Sequence, residues 1–291
     1  MQNFSLHTHT IGFDGQNTEA EMLAQAKNLG WKQLGFSNHF IVHPKIKEAP
    51  MYSFALKGGY QNIYSSSFDE ALAKFEKHYQ TIDSLQKETN IPIFKGMEVD
   101  FFADCHWLEN FSKVFAHLKP DYLIGSAHFV EHKGTLYNSH DLKSAPKIEQ
   151  NQLLHRYWQN QRAAAQSGLF TIMAHLDLMK KVGLGQEEQW IEEEQKNINI
   201  IKKQGLIVEL NSSYFKFKDE PYPSPRIMEM LAQQHIPVIL SDDAHASAQL
   251  GQYYSQTEIL AQKCGLTIQQ FPLQSNKPQN TLFLTKSQKM I

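Results

Sequence analysis

The stretch Phe4-Ser5-Leu6-His7-Thr8-His9 places two histidines two residues apart in a run expected to be extended. Side chains at positions i and i+2 of a strand point to the same face. His7 and His9 should therefore lie side by side near the strand end, before Gly12 and Gly15 interrupt the pattern. Two neighbouring imidazoles form half of a site for a metal such as zinc, iron or manganese.

Six further short apolar runs predict strands, and the amphipathic stretches between them predict helices. The seven strands are expected at residues 4–9, 33–37, 92–99, 122–127, 170–174, 206–210 and 237–241. The helices are expected at residues 18–29, 68–89, 107–118, 146–166, 187–203, 225–234 and 248–263, and residues 281–285 are expected to add an edge strand. Because strands and helices alternate, the pattern predicts parallel strands in a closed or nearly closed α/β barrel.

Composition narrows the function class. The 291-residue chain has a net charge of −2 and no block of basic residues, which argues against nucleic-acid or anionic-membrane binding. Two cysteines, Cys105 and Cys264, predict a reducing compartment without a disulfide framework. No leader pattern opens the sequence, and no apolar run approaches the roughly 18 residues of a membrane span. We therefore expect a soluble cytoplasmic protein, with its oligomeric state left open.

The connection 43–67 is longer than the others. Connections of this length in a compact domain are either functional or disordered. Its aromatic residues, Tyr52, Phe54, Tyr60 and Tyr64, favour an ordered flap over the active site. A surface insertion that packs on a neighbouring element is the alternative.

Side chains able to bind a metal follow nearly every predicted strand, at the ends where (β/α) barrels hold their active sites. Six of the 14 histidines fall there, together with Glu98 and Asp243. The six are His7, His9, His39, His128, His175 and His245. These donors exceed what one four- or five-coordinate ion needs, so we expect two or three divalent ions of Zn, Mn or Fe, with a bridging carboxylate. Clustered cations suit water activation and phosphoryl transfer.

The motifs at these strand ends resemble, in order, those of the PHP (polymerase and histidinol phosphatase) family over nearly the whole chain. They are HTH at residues 7–9, GFSNH at 35–39, GMEVD at 96–100, GSAH at 125–128, AHLD at 174–177 and SDDAH at 241–245. The resemblance implies one PHP-type domain over residues 1–291. Its fold would be a distorted (β/α)7 TIM-like barrel with a trinuclear metal centre.

The resemblance also implies a ligand set. One ion would be held by His7, His9, Glu98 and Asp243, the second by Glu98, His128 and His175, and the third by His39 and His245. The family usually supplies one more ligand shortly after the first motif, and Asp14 stands there, one residue short of the usual spacing. Asp243 takes the metal role because it precedes His245 by two residues, whereas Asp242 would cap the turn or orient a ligand.

Within the family, the histidinol-phosphatase branch is the nearest likeness, through SGLF at 167–170, AHLDLMKK at 174–181 and ELNSSYFK at 209–216. In that branch basic residues near Lys181 and Lys216 serve the substrate phosphate. Lysine supplies a point charge without bidentate geometry. The alternative for Lys180 and Lys181 is a solvated helix start, and the alternative for Lys216 and Lys218 is a solvated loop.

The implied reaction is hydrolysis of the small phosphomonoester L-histidinol phosphate, in histidine biosynthesis. Glu98, Asp243 and His245 would be catalytic, with Asp243 or His245 protonating the leaving alkoxide. Glu209 would orient ligands or meet the ammonium group of the substrate.

Three alternatives stay open. The first is another phosphoesterase or nuclease of the same family, although a mildly acidic chain disfavours nucleic acid. The second is metal-assisted attack on a carbonyl, as in deaminases and amidohydrolases, whose barrels also begin with two histidines spaced by one residue. The third is a metal-holding scaffold without activity, which the complete set of ligands disfavours.

Overall fold

The computed structural model describes residues 2–269, so the edge strand predicted at residues 281–285 lies outside the described part. The helices of the described part are α1 Glu19–Asn28, α2 Pro50–Gly58, α3 Phe68–Gln86, α4 Cys105–Leu118, α5 Ser139–Ser144, α6 Lys147–Gln166, α7 Ile191–Gln204, α8 Pro225–Gln233 and α9 Tyr254–Lys263. The strands are β1 Leu34–Phe36, β2 His39–Val42, β3 Tyr64–Ser65, β4 Ile93–Asp100, β5 Tyr122–Ser126, β6 Phe129–His132, β7 Thr135–Asn138, β8 Ile172–Met173, β9 Ile207–Asn211 and β10 Val238–Ser241.

Eight of these strands form one sheet in the order β10-β9-β8-β5-β4-β2-β3, with β1 paired to the first half of β4. Every pairing in this sheet is parallel. Strands β6 and β7 form a separate antiparallel hairpin. The predicted α/β fold with parallel strands joined by crossover helices is therefore confirmed.

The N-terminal segment lies between β1 and β10 and hydrogen-bonds to both sides. Gly35 N donates to Ser5 O (2.8 Å), and His9 N donates to Ala244 O (2.9 Å). Only Thr8 makes a regular bridge, with Ala244. The segment thus fills the gap between the first and last strands of the sheet, although the regular strand predicted at 4–9 does not form.

A bend at Leu6 explains the irregularity. Phe4 and Leu6 pack in the barrel interior, but His7 and His9 also reach the polar end of that interior. The two-residue alternation of a strand cannot bring Leu6 and His7 to the same side without such a bend.

The interior changes from apolar to polar along the strands. Its lower layers are a cluster of buried side chains: Phe4, Leu6, Phe94, Tyr122, Ile124, Ile172, Ala174 and Ile239. On β4, alternate residues carry this change from Phe94 through Gly96 to Glu98 and Asp100, because positions i and i+2 share a face. The larger core, outside the barrel, packs the other face of the strands against the helices.

The other differences from the predicted elements are local. The strand expected at 33–37 is shorter, and β2 follows it almost at once, paired with the second half of β4. The connection 43–67 contains α2 and β3, so it is ordered. The β6–β7 hairpin and α5 were not predicted. The predicted start of the first helix is confirmed by a capping box between Thr18 and Glu21. Within residues 2–269, no helix combines the length and apolarity that crossing a membrane requires.

Candidate metal centre and substrate cavity

All nine predicted ligand side chains meet at the polar end of the barrel. Glu98 lies at their centre, buried at the end of β4. Its Oε2 is 2.7 Å from His39 Nδ1 and 3.4 Å from His7 Nε2. Its Oε1 is 2.9 Å from His175 Nε2 and 3.6 Å from His128 Nε2. One carboxylate therefore contacts histidines from four separate segments of the chain.

Asp14 and Asp243 close the cluster on the other side. Asp14 Oδ2 is 3.2 Å from both His39 Nε2 and His245 Nε2. Asp243 Oδ1 is 3.1 Å from His9 Nε2. Asp14 thus reaches the cluster despite its shortened spacing in the sequence.

Potential ligand atoms fall into three groups, within each of which all atoms lie within 4.8 Å of one another. The groups are His9, Asp14, His39 and His245; His7, His9 and Asp243; and His39, Glu98 and His128. This grouping differs from the implied ligand set. His175 belongs to none of the groups, although its Nε2 lies 2.9 Å from Glu98 Oε1, and Glu98 is grouped with His39 and His128 only. His9 and His39 each belong to two groups. Imidazole and carboxylate donors in sets of three or four suit Zn, Mn or Fe.

Two of the histidines contact a carboxylate through one ring nitrogen, and this contact orients the other ring nitrogen toward the cluster. His7 Nδ1 lies 2.7 Å from Glu209 Oε2, and His128 Nδ1 lies 2.8 Å from Asp100 Oδ2. In the neutral form of each ring, Nδ1–H donates to this carboxylate and Nε2 keeps its lone pair for the cluster. Carboxylate partners of this kind orient histidines that bind metals.

Several buried polar atoms in the cluster make no well-aligned hydrogen bond within the described residues, although some lie close to an atom of opposite charge. They are His7 Nε2, both ring nitrogens of His9, Asp14 Oδ1, His39 Nδ1, Glu98 Oε2 and His175 Nδ1. Native proteins rarely bury unpaired polar atoms, because each costs about 1–3 kcal/mol. A concentration of such atoms in one cluster of metal-binding types fits a site built for cations.

The local electrostatics keep the carboxylates ionised. Burial alone would raise the pKa of Glu98, but His39, His7 and their neighbours outweigh it and hold this pKa well below its usual range. Burial, with the nearby His245 and His39, lowers the pKa of His9 to about 4. Neutral imidazole and ionised carboxylate are the forms that bind metals. Burial would lower the pKa of His7 and of His39, but the neighbouring carboxylates outweigh it and hold both pKa values well above the usual range. These two rings would therefore each release a proton when a metal binds.

Asp242 and Asp243 differ in role. Asp242 is fully buried, accepts from Ser5 Oγ and Gly251 N (both 2.7 Å), and so ties the N-terminal segment to the turn after β10. Asp243 has a left-handed backbone with φ of 48°. Such conformations are uncommon outside glycine and occur often at functional sites. This bend aims the Asp243 carboxylate at His9, as expected for the second of the two aspartates.

A cavity of about 210 Å³ opens beside the cluster. Met51, Tyr60, Ile63 and Tyr64 line one wall, so part of segment 43–67 does border the site. Phe54, in contrast, is exposed. Of the four aromatics predicted to form a flap, two therefore face the cavity.

The two predicted phosphate-binding lysines differ in position. Lys181 lines the cavity. Lys216 is exposed at the end of the helical turn Ser212–Lys216 and lies outside the cavity lining. The neighbouring Lys180 is buried, with its ammonium donating to Pro221 O (2.6 Å) and lying 3.3 Å from Asp177. Lys180 is therefore a core residue and not part of a solvated helix start.

A larger cavity of about 960 Å³ lies elsewhere, between the start of segment 43–67 and the first turn of α4. Its lining includes His43, Phe102 and Trp107 but none of the nine clustered residues. This cavity is the larger of the two, but the clustered imidazole and carboxylate side chains border the smaller one. We therefore place the functional site at the 210 Å³ cavity.

A model of the PHP domain matches residues 4–213 of the chain. The chain belongs to the PHP family. This match includes every clustered residue except Asp243 and His245, which follow on the turn after β10.

Two proteins described as "Probable histidinol-phosphatase" are similar in sequence. The Deinococcus radiodurans protein is 28% identical over 193 residues, covering 65% of this chain and 72% of that protein. The Schizosaccharomyces pombe protein is 25% identical over 284 residues, covering 90% of this chain and 87% of that protein. The aligned regions thus cover most of both relatives.

A solved structure shares the fold. Histidinol phosphate phosphatase from Lactococcus lactis, complexed with zinc, L-histidinol and phosphate, aligns with a TM-score of 0.64 at 14% identity. The alignment covers 91% of this chain and 94% of that chain.

The sequence assigned no role to Asp100, although Asp100 is a hydrogen-bond partner of the clustered residue His128. Asp100 accepts from both the backbone N (2.6 Å) and the Nδ1 of His128. The signal was present, because Asp100 follows Glu98 by two residues and a strand places both on one face. Glu209, predicted to orient ligands or meet the substrate, contacts His7 as described and also accepts from His175 N (3.1 Å).

Proposed function

We propose that this protein is a metal-dependent histidinol-phosphatase, which hydrolyses L-histidinol phosphate to L-histidinol and phosphate in histidine biosynthesis. One observation carries the proposal: nine imidazole and carboxylate side chains from separate segments converge beside a small cavity. Membership of the PHP family and the names of the similar proteins select the phosphatase reaction and its substrate.

The cofactors in this proposal are two to three divalent ions of Zn, Mn or Fe. The residues that would hold them are His7, His9, Asp14, His39, Glu98, His128, His175, Asp243 and His245. When bound, such ions supply positive charge to the phosphoryl oxygens and lower the pKa of the attacking water. The unpaired buried atoms of the cluster support this assignment, as does the zinc in the Lactococcus lactis structure.

Substrate binding divides between two walls of the cavity. Lys181 would attract the phosphate through its ammonium charge, and Lys216 would add a weaker field from outside the cavity lining. The apolar wall of Met51, Tyr60 and Ile63 would contact the organic part of the substrate and exclude water. A cavity of about 210 Å³ suits a small phosphomonoester better than nucleic acid.

Glu98, Asp243 and His245 would be the catalytic residues. Glu98 is buried and contacts four histidines, so it suits a bridging role. Asp243 and His245 are the most exposed members of the cluster, at 20% and 30% of their side-chain surface. Both also line the cavity. Either His245, or Asp243 after it has accepted a proton from the attacking water, would protonate the leaving alkoxide. We further propose that residues 1–291 form a single PHP-type domain.

Phosphate release from L-histidinol phosphate, beside a panel of other phosphomonoesters, tests the proposal. The protein is first stripped with a chelator and then reconstituted separately with Mn, Zn or Fe. We expect at least a hundredfold preference in kcat/KM for L-histidinol phosphate with one of these ions. Glu98→Gln should abolish this activity, whereas Glu109→Gln, at an exposed pair with Lys113, should leave it intact.

Two results would count against the proposal. Equal, feeble turnover of the whole panel would refute the assigned substrate and retain the phosphoesterase class. No hydrolysis of any phosphomonoester with any of the three ions would refute the phosphatase itself.

A further inference from the structure

Four buried or largely buried side chains form a closed ring of hydrogen bonds behind the metal centre. They are Thr10, Asn38, His78 and Glu19. Asn38 Nδ2 lies 3.0 Å from both Thr10 Oγ1 and His78 Nε2. Glu19 Oε1 lies 2.7 Å from His78 Nδ1 and 3.3 Å from Thr10 Oγ1. The ring joins the turn after His9, the β1–β2 connection, α3 and the first residue of α1.

The ring admits one arrangement of protons. The Asn38 amide has two N–H donors, one for Thr10 Oγ1 and one for His78 Nε2. His78 Nε2 must then carry a lone pair, so Nδ1–H donates to Glu19. The Thr10 hydroxyl, which accepts from Asn38, donates in turn to Glu19, whose carboxylate accepts both protons. Every member is thereby satisfied without water.

Two members of the ring adjoin proposed metal ligands. Thr10 follows His9, and Asn38 precedes His39. Asn38 Oδ1 also accepts from Thr10 N at 2.8 Å, which fastens these two segments directly to each other.

The Asp14 turn depends on the same residue. Thr10 O accepts from both Phe13 N and Gly15 N at 3.0 Å, so Thr10 holds the backbone on either side of Asp14. The ring therefore fixes the segments that carry His9, Asp14 and His39, three of the four members of one ligand group. His78 and Glu19 contact none of these ligand side chains themselves.

We infer that the Thr10–Asn38–His78–Glu19 ring positions the ligand group His9, Asp14, His39 and His245, and that it sets the affinity of this group for its ion. The inference rests on the proposed metal-dependent function. Glu19 and His78 are thus positioning residues that act through Thr10 and Asn38. Loss of partners that orient metal ligands typically weakens metal binding about 10–100-fold.

Zinc titration of the stripped full-length protein, followed by calorimetry and by elemental analysis of bound zinc, tests this inference. Asp14→Ala first identifies the binding event that belongs to this group. Glu19→Ala should weaken that event about 10–100-fold. The other events should weaken clearly less, because each of the other two groups shares only one histidine, His9 or His39, with this group. Glu19→Gln, which keeps an acceptor for His78, should have an intermediate effect. The matched control is Glu76→Ala on α3, since Glu76 pairs with a histidine, His117, at an exposed position.

The remaining events serve as an internal reference for the size of the loss, because general loosening of the protein would weaken all events to a similar extent. Asn38→Asp is measured in parallel, since it keeps the acceptor for Thr10 N and loses both amide donors. It should reproduce the selective loss. If Glu19→Ala and Asn38→Asp bind zinc like the wild type at the Asp14-dependent event, the inference is overturned. If the wild type binds no zinc at all, the proposed metal-dependent function is refuted. This outcome is distinct from a failure of the ring inference, in which the wild type and both variants bind zinc equally well.

Discussion

Gly35 allows the barrel interior to close beneath the metal centre. A Cβ at Gly35 would lie 2.4 Å from Tyr122 Oη and 3.0 Å from Leu6 Cδ2. Tyr122 cannot move away without cost, because its hydroxyl donates to Leu6 O and its ring already fills the space over Gly96. Gly35→Ala must therefore displace Tyr122 or Leu6 by about 1 Å, since contacts below 3.0 Å are not tolerated.

The expected loss of stability combines two terms. Overpacking a buried site costs about 1–3 kcal/mol. If Tyr122 moves, the buried carbonyl of Leu6 loses its partner, which adds about 1–3 kcal/mol. We expect Gly35→Ala to lower the free energy of unfolding by about 2–5 kcal/mol. In the Tyr122→Phe background the worst clash is absent, so the same change should cost about 1–3 kcal/mol less.

Urea unfolding in excess chelator measures these values without a contribution from metal binding. Gly12→Ala is the control, because a Cβ at Gly12 would meet nothing within 4 Å. The reasoning is refuted if Gly35→Ala costs less than about 0.5 kcal/mol, the usual range for neutral surface changes. Equal costs in the Tyr122 and Tyr122→Phe backgrounds would refute the assigned clash.

Three further predictions concern the site and its supports. Lys181→Ala should raise KM for the phosphomonoester about 10–100-fold, which corresponds to the loss of a hydrogen bond to a charged group. Lys216→Ala should change KM less than threefold. Steady-state kinetics that showed the reverse order would exclude Lys181 as the residue that binds the substrate phosphate. Asp100→Asn should weaken zinc binding about 10–100-fold through His128, and unchanged calorimetric affinities would contradict it. The His78 hydrogen bond outweighs burial and lowers the pKa of Glu19 below 4.5. Its stabilising contribution should therefore be complete above about pH 4.5 and fall as the pH drops through the folded pKa. The difference in unfolding free energy between the metal-free wild type and Glu19→Gln should therefore shrink as the pH falls below about 4.5. A difference that grew over this pH range would show that ionised Glu19 does not stabilise the fold.

The sequence predicted the parallel α/β arrangement because strands and helices alternate with clear hydrophobic periodicity. It also predicted which strand ends carry imidazoles and carboxylates, because period-two spacing determines which side chains share a face. It could not predict the bend at Leu6, whose carbonyl accepts a hydrogen bond from Tyr122, a residue far away in the sequence. It also missed the Glu19–His78 ring, whose members lie far apart in sequence. Lys180 was missed for a similar reason, since its burial depends on distant partners such as Pro221.

The metal centre should destabilise the folded state when no metal is bound and stabilise it when metal ions are bound. Several of its buried atoms, among them Glu98 Oε2 and both ring nitrogens of His9, lose water on folding without gaining a well-aligned protein hydrogen bond. An ion that binds only the folded state adds about 2.7 kcal/mol at 100 times its Kd. For a chain of this size, each kcal/mol raises Tm by about 2–4 °C. Reconstitution with zinc should therefore raise Tm by at least about 5 °C per tightly bound ion. Asp14→Ala should lose the increment of one ion while retaining the metal-free Tm within a few degrees. A Tm that chelator and zinc leave unchanged would contradict the view that these unpaired atoms form a metal centre.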